Sequence, residues 1–364
     1  MWIWERVVET SAEQLKNCPS YNSNQMRLTL LILLFKICIC TAKERRAFVT
    51  IVTSEEGVEP AMVLGATLRA STRTANSVHN PSYELDYICL VLREEGAVEL
   101  EDGEPKGGVS ILGMKKLVFA GWTIGNVEYS IYNSNSESSD WESVDFNKMW
   151  IWSLVKYNKV IYVNYDMLVL QDIKDLFQRD VNFAAAPTLF ASNTFDSGLM
   201  VIKPCLSTFT EMIGKVKSGV DPYWNFDKFV NDHFSDWYYL SSHFHRLLPI
   251  YNAPYSWTQD ESWVEHRSRV KTVHFHGKEK PWLILKDPKQ YKVSKYGAPL
   301  IYVYAIFLFF IQNPLKDGLE DETRYVLTEV FDITQSSEAV AKYIEKMKRG
   351  GTRLRIGIHD DHEL

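Results

Sequence analysis

The chain carries no Cys-x-x-Cys pair and no Cys/His cluster at zinc-ligand spacing, which excludes the common structural zinc modules. It has no basic run or stripe. A formal charge of −6, from 40 Lys and Arg against 46 Asp and Glu, argues against a nucleic-acid partner. Two apolar stretches approach, and fall short of, the about 20 residues that a membrane-spanning helix needs. No Asn-x-Ser/Thr acceptor occurs, which leaves the compartment undecided. Cysteine is sparse: of five, Cys18, Cys38 and Cys40 fall in the first 42 residues, leaving Cys89 and Cys205 for the body of the chain. Cys89 sits in an apolar run and reads as a buried free thiol, with a disulfide to Cys205 left open. Apolar residues, by contrast, make up 46% of the 364, ample for a large core.

The first apolar stretch bears on destination. Met26-Arg27 precedes Leu28–Ile39, and Cys40-Thr41-Ala42 offers small residues for cleavage, the build of a secretory signal peptide, with a signal anchor as the rival reading. The terminal Asp361-His362-Glu363-Leu364 resembles an endoplasmic-reticulum retrieval signal. Together the two point to the lumen of the secretory pathway. The second stretch, within 296–315, contains no charge, and its centre Ile301–Ile311 is nearly all apolar. It reads as a buried element, a membrane-surface segment or a short span. The expected division is therefore a leader and signal at 1–42, a main domain at 43–290, and an apolar segment with a charged helical tail at 291–364.

The main domain is organised around Lys148–Phe177. A helix carrying Trp150, Trp152 and Leu154 breaks at Tyr157-Asn158-Lys159, and the run Val160-Ile161-Tyr162-Val163 follows as a buried strand. The strand ends on Asn164-Tyr165-Asp166, polar groups where the core would prefer none. In an open parallel sheet, ligands bind at the carboxyl ends of strands, so oxygen ligands there are placed to hold a hard cation and its phosphates. Without further support, Asn164 and Asp166 would merely satisfy turn amides.

Upstream, Ala47–Thr53 reads as a strand, the segment around Ala61, Leu64, Gly65 and Leu68 as a helix, and Tyr87–Leu92 as a strand. This is a βαβ unit that begins a parallel sheet. Leu117–Ala120 reads as a third strand and Tyr129–Asp140 as a low-complexity loop. Downstream come a short helix at Gln171–Phe177, strands at Asn182–Ala186, Leu199–Lys203 and Val270–Val273, and helices at Leu206–Val216 and Glu338–Lys348.

Four blocks, Ala47–Thr53 with Val63-Leu64-Gly65, Lys148–Phe177, Phe195-Asp196-Ser197-Gly198 and His274–Trp282, together resemble glycosyltransferase family 8, in particular its glycogenin-like branch. The resemblance implies an α/β, GT-A-type, Rossmann-like fold that binds a nucleotide sugar, with a mixed, mostly parallel central sheet flanked by helices. It implies a retaining hexosyltransferase that uses a UDP-sugar and Mn²⁺ or another divalent cation, with a glycan, protein or lipid acceptor left unnamed.

By the same resemblance Asp166, His274 and Asn164 would ligate the metal, Asn164 standing at the first Asp-x-Asp position. Thr53, Lys148, Tyr165, Gly277 and Lys280 would join Asn164 and Asp166 around the donor, Gly277 admitting the backbone to the pyrophosphate and Lys280 neutralising it. Asp196, Asp227 and Lys148 would act at the reacting sugar. A cation with a preference for oxygen and imidazole suits carboxylate plus His, and it would neutralise the leaving diphosphate.

Three departures from the family pattern stand out. Asn164 replaces an aspartate. Gly57 stands where a base-stacking tyrosine is usual, and Phe226-Asp227-Lys228 replaces an Asp-Gln-Gly element, with Asp227 as a shifted candidate. A catalytically weak or inactive binding protein of the same fold is therefore the alternative. A third reading, a cytosolic glycogen primer, would need Tyr251 or Tyr255 as an acceptor, and neither has a recognisable acceptor context. Among the histidines, His233, His243, His245, His266 and His276 read as structural.

Overall fold

The computed structural model describes residues 43–74, 83–92, 108–127, 141–188, 193–218, 225–240, 244–261, 263–287 and scattered positions from 290 to 308. The leader and signal segment, the loop at 129–140, the expected helix at 338–348 and the retrieval-like terminus lie outside the described residues. Of two compact units, the larger, Arg45–Asn80 with Leu85–Leu364, holds the core and the site. Of the smaller, Met1–Glu44 with Pro81–Glu84, residues 43–44 and 83–84 are described.

Six strands, β1 (Glu44–Val52), β2 (Tyr83–Leu92), β3 (Thr123–Val127), β4 (Lys159–Val163), β6 (Phe183–Pro187) and β7 (Phe195–Ile202), form one sheet in the order β3-β2-β1-β4-β7-β6. A smaller sheet has the order β5-β9-β8, from β5 (Met167–Val169), β8 (Ala253–Pro254) and β9 (Thr272–His274). In the large sheet β1 runs parallel to β4 and β2 to β3, whereas β7 is antiparallel to both of its neighbours, β4 and β6. The sheet is thus mixed and mostly parallel, as expected. Val160, Ile161, Tyr162 and Val163 of β4 are buried on both faces, which is why the central strand reads as a continuous apolar run rather than an alternation.

Helices α1 (Val58–Thr74), α2 (Ile111–Phe119), α3 (Leu206–Ser218), α4 (Phe226–His233), α5 (Trp263–His266) and α6 (Pro281–Lys286) complete the described framework. Gly65 of α1 lies under Trp122: a Cβ there would come within 2.5 Å of the indole Nε1, which donates to Ala61 O at 2.7 Å. The Val-Leu-Gly motif therefore records a packing contact.

Several boundaries differ from the sequence reading. Leu117–Ala120 is not a strand but the end of α2, whose N-cap Ser110 accepts from Gly113 N at 2.8 Å. Four apolar residues carry no period of their own, and the helix buries Gly113 and Leu117 while exposing Val118 and Phe119. The third strand is β3. The tryptophan-bearing segment Trp141–Ser153 is a 3-10 helix rather than an α-helix. Buried Phe146, Met149 and Trp152 recur every third residue, the spacing a three-residue turn brings to one side. Similarly, the short helix near 171–177 is a 3-10 turn at Lys174–Gln178, β7 starts at Phe195, so that Asp196 and Gly198 lie within the strand, and β9 starts at Thr272.

Cys89 and Cys205 are both free thiols, so the disulfide is absent. In the apolar stretch 296–315, Leu300, Ile301, Val303, Tyr304 and Ala305 are buried, and the Tyr304 ring lies 6.2 Å from that of Trp282. Among the described residues no helix is long and apolar enough to cross a membrane.

Candidate active site

The site forms where the two sheets meet at the carboxyl end of β4. The chain leaves β4 through a turn in which Met167 N donates to Asn164 O at 3.1 Å, and it enters β5 at once. β5 pairs antiparallel with β9, Met167 opposite His274, and Phe275 N extends the ladder to Asp166 O at 3.0 Å. Asp166 thus arrives beside His274 by strand register, although 108 positions separate them in sequence. On the other flank, Asn164 N donates to Gly198 O at 2.8 Å, continuing the β4–β7 pairing and bringing Asp196, Ser197 and Gly198 to the same end.

His274 is the hub. Its Nε2 lies 3.1 Å from Asp166 Oδ1, an oxygen that is buried and has no hydrogen bond of good geometry. Its Nδ1 lies 3.0 Å from Asn252 Oδ1 and 3.3 Å from Asp196 Oδ1. Gly198 makes this approach possible, because a Cβ there would fall 2.3 Å from His274 Cε1. Asp196 is held in turn by Gly198 N at 2.8 Å, Asn252 Nδ2 at 2.6 Å and His276 Nε2 at 2.8 Å. Lys280, the cap of α6, donates to Asp166 Oδ2 and to Phe275 O.

A second cluster lies one step deeper. Lys148, almost fully buried, sits over the rings of Tyr162 and Phe226 at 5.8 and 5.6 Å, and it donates to Ser197 Oγ at 3.3 Å. Asp227, in the first turn of α4, accepts from Ser197 N at 2.9 Å. Ser197 therefore joins the two sequence-predicted residues.

Charge follows this geometry. Burial by itself would raise the Asp166 carboxyl, but the His274 and Lys280 charges outweigh it and hold it well below the usual range. Asp196 is likewise depressed, burial being overcome by His274 and His276. Burial would lower His274, yet the two carboxylates raise it to about 9. Burial raises Asp227, with Asp196 adding to the shift and Lys148 opposing it. The cleft is therefore an ion cluster in which the imidazole of His274 and the ammonium of Lys280 balance the two carboxylates.

The remaining predicted residues fall around this centre. Asn164 Oδ1 accepts from Tyr162 OH at 3.1 Å and from Tyr165 N at 3.2 Å, so its two acceptor sites are spent on the turn. The Tyr165 ring lies 6.3 Å from that of Trp282, and one of its carbons lies 3.5 Å from where a Gly57 Cβ would be. An aromatic side chain therefore stands against Gly57. Thr53 is half-buried just beyond β1. Gly277 has φ +65 with open space around its missing Cβ, so backbone conformation rather than crowding requires glycine there.

Two residues of the centre have no role in the sequence reading. Asn252 reaches His274 only because β8 runs parallel to β9, Pro254 opposite His274. His276 had a local signal: alternate residues of an extended segment share a face, so His-x-His presents two imidazoles together. Their ring centroids lie 3.6 Å apart.

A mixed α/β sheet with carboxylates and imidazoles gathered at the end of its central strand is an architecture for binding a ligand outside the strand termini. Residues 114–233 match the profile of glycosyl transferase family 8. Relatives include Glycogenin-1 of Caenorhabditis elegans, 28% identical over 65% of this chain and 50% of its own length. Glycogenin-1 of Homo sapiens is 25% identical over 68% and 65%, respectively. UDP-glucuronate:xylan alpha-glucuronosyltransferase 1 of Arabidopsis thaliana is 26% identical over 46% of this chain and 25% of its own length. Over 114–233 the chain resembles glycosyltransferase family 8, and its relatives are of the glycogenin-like kind. It spans between a quarter and two thirds of the length of these relatives.

Proposed function

We propose that this protein is a metal-assisted, retaining glycosyltransferase of the secretory-pathway lumen, transferring a hexose from a UDP-sugar to a glycan, protein or lipid acceptor. In this reading 43–290 is the transferase domain, 1–42 a removed leader, and the terminal four residues a retrieval signal for the endoplasmic reticulum. The observation that carries the transferase reading is the meeting of Asp166 with His274 at 3.1 Å, with Asp166 Oδ1 buried and short of a hydrogen bond. A buried carboxylate oxygen aimed at an imidazole nitrogen is a donor pair that fits Mn²⁺ or a similar cation. Such a cation would supply Lewis-acid neutralisation of the leaving diphosphate.

The chain's own groups do the rest. Lys280, which donates to Asp166 Oδ2, turns its ammonium to the diphosphate of the donor. Lys148, fixed between two rings and Ser197, brings a positive charge toward the sugar end of the donor. Asp196 and Asp227 offer carboxylates to the positive charge that grows on the sugar ring as its bond to the phosphate breaks. Tyr165 supplies an aromatic surface in place of the one missing at Gly57.

Titration with UDP, with and without Mn²⁺, followed by UDP-sugar hydrolysis and transfer assays, tests the proposal. Metal-dependent binding with turnover is expected. Binding without any turnover would favour the second reading, a non-catalytic member of the family. Asn164 Oδ1, tied to the turn, favours that reading.

A further inference from the structure

We propose that Asp196, His274 and His276 form a binding site for a divalent transition metal of the zinc or cobalt type, separate from the Asp166 edge of His274. The three residues each bring one ligand atom, and those atoms all lie within 4.8 Å of one another. Asp196 Oδ2 is 2.8 Å from His276 Nε2, and Asp196 Oδ1 is 3.3 Å from His274 Nδ1. Ligand atoms that share an ion through bonds of about 2.1 Å sit roughly 3 Å apart, so the set closes on a cation once His274 Nδ1 gives up its proton and its partner Asn252 Oδ1, 3.0 Å away. The carboxylate is already aimed: Gly198 N and Asn252 Nδ2 both donate to Oδ1. A path from solvent exists too, since His274 is buried while the His276 side chain is 44% exposed.

Donor chemistry sets the class of metal. Two imidazoles and one carboxylate suit zinc, cobalt and their first-row neighbours, whereas magnesium and calcium prefer an all-oxygen shell. The sequence shifts in the same sense: an aspartate is missing at Asn164 on one edge of the ring, and a carboxylate with a second imidazole stands at Asp196 and His276 on the other. A neutral imidazole has one lone pair, so His274 can give it to either edge but not to both at once. Metal on Asp196 and His276 therefore withdraws the ring from Asp166, and the two edges bind in competition. The proposal concerns the free protein and does not depend on sugar transfer.

The test is a titration of the full chain with Co²⁺ in the absence of nucleotide, followed by visible absorption and calorimetry, with Zn²⁺ and Mg²⁺ as competitors. One equivalent of Co²⁺ is expected, displaced by Zn²⁺ and not by Mg²⁺. His276→Ala, a change at a half-exposed side chain, should lower the affinity by roughly a hundredfold, at or above the loss of an outer-shell partner. Asp166→Asn should leave binding intact. Binding that vanishes with Asp166→Asn and ignores His276→Ala would overturn the proposal, as would no Co²⁺ binding by the free protein. In either of those cases the transferase reading is still judged separately, by UDP titration with Mn²⁺ and turnover.

Discussion

Asp166 and Asp196 face the same imidazole from opposite edges, and they are held in contrasting ways. Asp166 is partnered through one oxygen by a lysine on a long flexible stem, while its other oxygen lacks a good hydrogen bond. Asp196 is gripped by a backbone amide, a buried carboxamide and His276. The first arrangement is suited to exchanging partners, because an ammonium leaves without disturbing the backbone. The second fixes geometry, because each donor to Asp196 belongs to a different element and would be left unpaired if the carboxylate moved. A carboxylate held by one flexible partner and one locked in a fixed orientation by several can thus be told apart by who holds them.

Four experiments sharpen or break this contrast. The largest effect is expected from Asp166→Asn, which should reduce metal-dependent transfer about a thousandfold, in the range seen when a charge-stabilising group is removed, in a protein that stays folded with a lowered melting temperature. A variant that unfolds instead would mean that Asp166 is a structural anchor. Next, Asp196→Ala should cost about 3 kcal/mol in urea unfolding, the penalty for breaking a buried ionic network from one side. A cost close to zero would show that its partners find replacements in water.

Gly198→Ala should cost about 1–3 kcal/mol, since the new methyl overlaps the His274 ring and the core must shift. Chemical shifts of the His274 ring, followed by NMR, should move with it, and an unmoved ring with full stability would contradict the close approach. The smallest effect is on pH dependence, measured as melting temperature in metal-free buffer. The depressed carboxyls of Asp166 and Asp196 contribute stability above their ordinary value of about 4, and this is lost as pH falls through their folded values. His274, raised to about 9, contributes stability that is complete below its ordinary value of about 6.5 and is lost as pH rises through about 9. The melting temperature should therefore fall between pH 6.5 and 9, and His274→Gln should flatten that slope. Equal slopes in the two proteins would exclude His274 as its source.

Strands β1, β2 and β4 could be read directly because each is a run of β-branched and aromatic residues between turn signals. The helix α2 could not, since its apolar residues point both inward and outward and the four-residue run Leu117–Ala120 has no period to read. The 3-10 form of Trp141–Ser153 was equally hidden, because Trp150, Trp152 and Leu154 alone do not distinguish three residues per turn from 3.6. Asp166, His274 and Lys280, singled out through the family resemblance of their blocks, are brought together by the fold. Asn252 was not legible, because its own stretch, Tyr251-Asn252-Ala253, says nothing about polarity or spacing until β8 lies against β9. Cys89 was legible as a buried free thiol, and the disulfide to Cys205 left open by the sequence is absent from the fold.

The amino-acid order alone determined the family resemblance, the buried central strand and the identity of the groups that can carry charge at its end, because these depend on residue type and local spacing. Which nitrogen of His274 faces which carboxylate, and whether Asn164 has a lone pair left to give, were decided only by folding. Strand register turns distances along the chain into distances of about 3 Å in space, and no local pattern of residues encodes register across two sheets.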